Sequence, residues 1–226
     1  IEEILEVSDG VMVARGDLGV QLPIEQVPFV QKQILNAANL RGKISITATE
    51  MLQSMKTAYR PTRAEVTDIT NAILEGSDAV MLSAETSIGD HPNRVVEVMS
   101  TICSETDARN DTSTLRFKEL SSIDELTTTL ARAAVQVAND IDARAIVAFT
   151  ESGRTPLLIS NYRPKSPIIT FTSKSKTYNQ MSLLWGVEQY KIERRNTFEE
   201  MLSDANEFLK NEKKYNKGDK VVVVAG

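Results

Sequence analysis

The chain is poor in the residues that announce several common kinds of site. It has one cysteine, Cys103, in 226 residues, which excludes an intramolecular disulfide and any site built from several cysteines, and suits a reducing compartment. A cytoplasmic location is therefore expected. Aromatic residues make up only 5% and the formal charge is −5, so both the stacking surface and the positive footprint of a nucleic-acid binder are missing, and no nucleic acid is expected as a partner. No apolar run approaches the ~20 residues that cross a bilayer, and Ile1-Glu2-Glu3 is not the basic start of a signal peptide, so no membrane partner is expected either. An initiator methionine is also absent, and the chain reads as a piece of something longer.

What is present is ordered. With 41% apolar residues the chain can build a core, and its length allows one large or two small domains. Three strand-like runs in the first ninety residues each end in a polar signature. Residues 11–14 run into Arg15, Gly16 and Asp17; residues 44–46 run into Thr47, Thr49 and Glu50; residues 80–82 run into Ser83, Glu85 and Thr86. Each run is apolar without strict alternation, as in a parallel strand buried on both faces. Helical periodicity fills the intervals: Val27, Val30, Ile34, Leu35 and Ala38 within residues 24–39, and the same period over 62–74. A βαβ succession with polar residues at the carboxyl ends of its strands is where parallel-sheet enzymes place their chemistry.

Residues 93–105 read as the helix after the third strand, and the Thr- and Asp-rich stretch 107–114 has no periodicity, which makes it the expected domain boundary. The division is 1–107, a linker over 108–122, and 123–226. The second part alternates helix to 139, strand 145–150, helix from 155, strand 168–172, helix 174–184, strand 187–190, helix 197–209 and strand 221–225, which predicts an independent α/β sheet. Both ends look cut, and three βα units cannot close an eight-stranded barrel.

The segments Asp9-Gly10-Val11-Met12-Val13-Ala14-Arg15-Gly16-Asp17-Leu18-Gly19, Thr47-Ala48-Thr49-Glu50-Met51-Leu52, Arg60-Pro61-Thr62-Arg63-Ala64-Glu65 and Met81-Leu82-Ser83-Ala84-Glu85-Thr86 resemble pyruvate kinase, as do Ser152-Gly153-Arg154-Thr155 and Tyr162-Arg163-Pro164. The resemblance covers essentially the whole chain in order. It implies an α/β fold: the last three βα units of a TIM-type catalytic barrel followed by most of a mainly parallel regulatory domain. It implies phosphoryl transfer from phosphoenolpyruvate to ADP, giving pyruvate and ATP, with Mg²⁺ or Mn²⁺ and usually K⁺, in a homotetramer.

By that resemblance Arg15, Gly16, Asp17 and Thr49 bind substrate, Asp17 holds the metal, and Thr49 and Ser83 serve catalysis. A carboxylate is a hard oxygen ligand suited to Mg²⁺, a glycine N–H can approach a substrate carboxylate closely, and a threonine hydroxyl can hold that carboxylate or order the proton path to C3 of the enolate. Glu50 stands where the family commonly has glutamine and Ala84 where it commonly has glycine. The family's second metal carboxylate, its phosphoryl-contacting lysine and its K⁺ ligands belong to segments before Asp9, so the isolated chain is expected to be inactive. The loop Thr150, Glu151, Ser152, Gly153, Arg154, Thr155 resembles the one that holds a phosphate of an allosteric sugar phosphate or nucleotide, with Thr155 expected as N-cap of the next helix. Arg60 and Arg63 are expected near a subunit interface, beside a capping box at Thr62 and Glu65.

Simpler readings stand beside these. Asp17 alone caps a turn as readily as it binds metal, and the loop at 150–155 alone is a plain helix cap. His91, Cys103 and Trp185 read as surface, packing and core-anchor residues. Two functional alternatives are a catalytically silent phosphate-binding and assembly module, and a Mg²⁺-dependent lyase or aldolase acting on pyruvate-like enolates.

Overall fold

The computed structural model describes residues 1–109, 125–212 and 215–225. The chain divides into two compact units, Ile1–Asp111 and Thr112–Gly226. Most of the expected linker, from residue 110 on, lies outside the described residues.

The first unit runs α1 (Glu2–Val7), β1 (Gly10–Ala14), α2 (Arg15–Gln21), a 3₁₀ turn (Ile24–Gln26), α3 (Val27–Leu40), β2 (Ile44–Ala48), a second 3₁₀ turn (Gln53–Lys56), α4 (Arg63–Leu74), β3 (Ala79–Met81), α5 (Ala84–Ser87) and α6 (Pro92–Arg109). The periodic stretch expected as one helix over 24–39 is thus split. Pro28 sits in the first turn of α3, where a missing N–H costs nothing, and the 3₁₀ turn precedes it. The last helix is longer than the expected 93–105, because Pro92 starts it and nothing in the sequence breaks it before Arg109.

The three strands are parallel in the order β1-β2-β3. Ala14 pairs with Ala48, and Ala48 with Met81, so the three strands end level. The core lies between α4, α6 and the segment after β2: Met51, Leu52 and Met55 meet Ile69, Ile73, Val95, Val98, Met99 and Ile102. Removing side chains of this kind from water, at roughly 25 cal/mol per Å², fixes where the polar strand ends lie.

The second unit runs α7 (Glu125–Asp140), β4 (Ala145–Phe149), α8 (Arg154–Asn161), β5 (Ile168–Thr172), α9 (Ser175–Met181), β6 (Val187–Lys191), α10 (Phe198–Asn211) and β7 (Val221–Ala225). All pairings are parallel, in the order β6-β5-β4-β7. Alternate residues of β4 and β5 face opposite helix layers. Ile146, Ala148 and Ile168 meet Ala131, Val135, Leu158 and Ile159 on one side, while Val147, Phe149, Ile169 and Phe171 meet Ala205 and Phe208 on the other. The chain runs outward from β4 to β5 and β6 and then returns to place β7 on the other flank of β4. The loop after β4 therefore stands at the point where strand order reverses, where open α/β sheets bind ligands.

Candidate active site and phosphate loop

The level strand ends of the first unit bring Arg15-Gly16-Asp17, Thr49-Glu50 and Ser83 to one edge of the sheet. The Gly16 N–H, expected to face a substrate carboxylate, donates to the Thr49 hydroxyl at 2.8 Å. Asp17 lies in the first turn of α2, exposed, and among the described residues its carboxylate enters no ion pair or hydrogen bond. A free carboxylate oxygen is the donor a hard divalent ion takes, so the residue fits the metal role in kind. Among the described residues no three His, Cys, Asp or Glu gather into a metal cluster, so Asp17 offers one ligand.

Arg15 is only 8% exposed, and its guanidinium faces the turn after β2. It donates to the Thr49 carbonyl from Nε (3.1 Å) and Nη2 (2.7 Å), and to the Glu50 carbonyl from Nη2 (3.2 Å). Nη1 meets Asp68 of α4 at 2.5 Å, and the Met51 sulfur lies 2.9 Å from Nη2. Thr49 and Glu50 both have positive φ, 70° and 54°. Glu50 is exposed.

Ser83 is exposed and precedes α5. Its N–H donates to one oxygen of Glu85 at 2.9 Å, while the other oxygen accepts from the Leu52 N–H at 3.2 Å. Glu85 is wholly buried and joins the loop after β2 to the loop after β3. Sequence reasoning placed Glu85 in the third signature without a role; its spacing two residues beyond Ser83 was the available signal. Asp68 carried none, being one acidic residue inside a periodic helix.

Arg60 and Arg63 are exposed at the start of α4. The expected capping box is present: Glu65 N–H donates to Thr62 Oγ1, and the Glu65 carboxylate accepts from the Thr62 N–H. Cys103 is half-buried; burial, with the charge of Asp107, pushes its thiol up, away from a nucleophile.

In the second unit the loop after β4 departs from expectation in one respect. The N-cap is Gly153, with φ of 82°, and α8 starts at Arg154 rather than after Thr155. Glycine enters the left-handed region without a Cβ clash and turns the chain two residues early. The Thr150 hydroxyl accepts from the Gly153 N–H at 3.0 Å, and the exposed Ser152 hydroxyl from the Arg154 N–H at 3.4 Å. Glu151 takes a hydrogen bond from the Ser173 hydroxyl (2.9 Å) and pairs with Lys174 (3.4 Å). The Ser173 bond first, against the opposing effect of burial, and then Lys174 and the charge of Arg194 hold its carboxyl below the usual range. A cavity of about 150 Å³ opens here, lined among others by Thr150, Glu151, Thr172, Ser173 and Arg194.

Residues 1–96 match the family model of the pyruvate kinase barrel domain, and residues 128–226 that of the pyruvate kinase alpha/beta domain. The chain belongs to the pyruvate kinase family. It is 43% identical to a pyruvate kinase of Geobacillus stearothermophilus and 42% identical to one of Lactobacillus delbrueckii subsp. bulgaricus, in each case over 100% of this chain and 39% of the relative. The chain thus spans about two-fifths of the length of these pyruvate kinases. A solved pyruvate kinase of Cryptosporidium parvum superposes with a TM-score of 0.93 at 40% identity, covering 99% of this chain and 46% of that one. A second structure of that organism's pyruvate kinase, in complex with ADP, superposes with a TM-score of 0.90. The fold is accordingly three βα units of a pyruvate kinase barrel followed by the family's α/β domain. A lyase or aldolase finds no support in these matches.

Proposed function

We propose that the protein carrying this chain transfers the phosphoryl group of phosphoenolpyruvate to ADP, giving pyruvate and ATP. The observation that carries the reading is the level set of strand ends that puts Gly16, Asp17, Thr49 and Ser83 on one edge of a pyruvate kinase barrel segment. Asp17 would hold Mg²⁺ or Mn²⁺, an ion that supplies neutralisation of the charge on the phosphoryl and enolate oxygens. Mg²⁺ is commonly bound by one or two carboxylates, with water and substrate oxygens filling its shell. One protein carboxylate holds it weakly, so turnover by this chain alone is expected to be negligible. Among the described residues none is assigned to K⁺.

The roles of the hydroxyls follow from their donor count. A threonine hydroxyl has one proton and two lone pairs. The Gly16 N–H fills one lone pair of Thr49, which leaves the Thr49 O–H free to donate to a substrate carboxylate or to order a proton path toward C3 of the enolate. Ser83, one strand further on, supplies a second exposed hydroxyl on that path.

The second unit is proposed to bind a phosphate of a sugar-phosphate or nucleotide effector through Thr150, Glu151, Ser152, Gly153, Arg154 and Thr155. What favours this is the loop's place where strand order reverses, with free or weakly held N–H groups at the start of α8 and an exposed Arg154. The Glu151 carboxylate is occupied by Ser173 and Lys174 rather than aimed at such a ligand. Exposed Arg60 and Arg63 are proposed to face a neighbouring subunit of a homotetramer, in the cytoplasm; among the described residues no helix is long and apolar enough to cross a membrane.

Calorimetric titration of phosphoenolpyruvate into the chain tests the active-site reading. Binding should require Mg²⁺ and weaken at least ~10-fold, about 1.4 kcal/mol, in Asp17→Asn. Binding that is indifferent to both Mg²⁺ and Asp17→Asn sinks it.

A further inference from the structure

We propose that Arg15 serves this site as a positioning residue: its guanidinium holds the left-handed turn Thr49–Glu50, and thereby aims the Thr49 hydroxyl at Gly16, without touching substrate. The proposal deepens the phosphoryl-transfer reading and rests on it for its ligand-binding consequence only.

The turn needs a holder. A single non-glycine residue at positive φ is uncommon, and for a β-branched residue such as threonine it is an outlier. Here two such residues stand in succession, Thr49 at 70° and Glu50 at 54°. Conformations of this kind persist only where their surroundings over-determine them. Arg15 supplies that constraint from one planar group. Two of its nitrogens converge on the Thr49 carbonyl, one of these also reaches the Glu50 carbonyl, and the third nitrogen is anchored on Asp68. An ammonium is a point charge on a flexible stem and cannot satisfy these separate directions at once.

The same geometry argues against direct substrate contact. The side chain is 91% or more removed from solvent, at 9% exposure, and its nitrogens are directed at groups of the protein. What Arg15 controls is Thr49, held by its carbonyl from the guanidinium and by its hydroxyl from the next residue's N–H. Arg15 and Gly16 are adjacent, so one strand end grips both ends of Thr49. If the carbonyl is released, the turn can relax toward negative φ and carry the hydroxyl away from Gly16.

The test reads amide hydrogen exchange at Gly16, whose N–H is held only if Thr49 is in place, with the amide of Ile102, inside α6 and the core of the same unit, as a reporter of that unit's folding. Phosphoenolpyruvate affinity with Mg²⁺ is measured alongside. In Arg15→Gln, Gly16 should exchange at least ~10-fold faster while Ile102 is unchanged, and affinity should fall by a similar factor. Arg15→Lys should lie between Gln and the native residue, and it decides the matter alone if Arg15→Gln loses Ile102 protection. Weakened affinity with unaltered Gly16 exchange would overturn the proposal and make Arg15 a direct ligand contact. Unaltered Gly16 exchange with unaltered affinity would overturn it equally. A native chain that does not bind phosphoenolpyruvate would count against the phosphoryl-transfer reading, and the Gly16 exchange would still decide the role of Arg15.

Discussion

The two parallel sheets of this chain follow one rule of construction and differ in how completely they are covered. Every residue of β4 and β5 is buried, between helices on both faces. In the first unit, the face shared by Val13, Thr47 and Val80 meets helices, and the register puts Met12, Ile46 and Ala79 together on the other. Met12 there is 50% exposed, while Ile46 and Ala79 are half-buried. Even the helix-facing side of β2 carries two hydroxyls, Ser45 and Thr47, each wholly buried and satisfied by Asp78 and Ser77. The second sheet thus derives its stability from apolar filling, and the first from a mixture of filling and buried polar links, with its candidate site residues at the level strand ends.

That contrast can be broken most forcefully at Phe171. Its ring stacks on Phe149 at 5.1 Å between centroids and meets Phe208 edge-on at 5.3 Å. Phe171→Ala should destabilise the second unit by about 3–5 kcal/mol. Met12→Ala, at a half-exposed position of the first sheet, should cost about 1 kcal/mol or less. Urea unfolding followed by fluorescence of Trp185, the only tryptophan, reports the second unit, and far-UV circular dichroism reports both. Equal losses for the two variants would remove the distinction.

A smaller effect sharpens the first sheet. A Cβ added at Gly10 would lie 2.7 Å from the Ile44 carbonyl oxygen and 3.2 Å from the Ile44 Cβ, so β1 and β2 would have to move apart where their register begins. Gly10→Ala should cost about 1–3 kcal/mol, seen as a lower urea midpoint by circular dichroism with the Trp185 transition unchanged. A simultaneous shift of both signals would show that the units do not unfold separately.

Much of this arrangement was legible in the sequence, and the rest was hidden for identifiable reasons. The strands, the helices between them and the polar strand ends follow from hydrophobic period, which reports burial directly. The 3₁₀ turn at residues 24–26 and the start of α8 differ from the periodic pattern because both depend on local backbone conformation, Pro28 in one case and a left-handed Gly153 in the other. The family's motifs identified Gly16, Asp17, Thr49 and Ser83 as a group. What they could not convey is that the Arg15 guanidinium is spent on the Thr49–Glu50 turn, or that Glu85 joins two loops from a buried position. Those are long-range contacts between residues separated by some thirty positions, and no local pattern encodes them.

The smallest predicted effect compares one carboxylate from each unit. Partial burial alone would raise the Glu65 carboxyl, but the hydrogen bonds from the Ser54 hydroxyl and N–H, at 2.6 and 2.7 Å, and from Thr62 outweigh it and hold it below its usual value. Glu151 is lowered too, chiefly by one Ser173 hydroxyl. A carboxyl depressed in the folded state contributes stability that is fully present above its unfolded value, about 4.3, and is lost as pH falls through the folded value. Four donors converge on Glu65, and an amide there would turn its own N–H groups against them. Glu65→Gln should therefore lower the urea midpoint at neutral pH more than Glu151→Gln does, and the gap from the native chain should close as pH drops below about 4. A Glu65→Gln deficit that stays constant from neutral pH down to full protonation would mean that the links around α4 depend on shape rather than on charge.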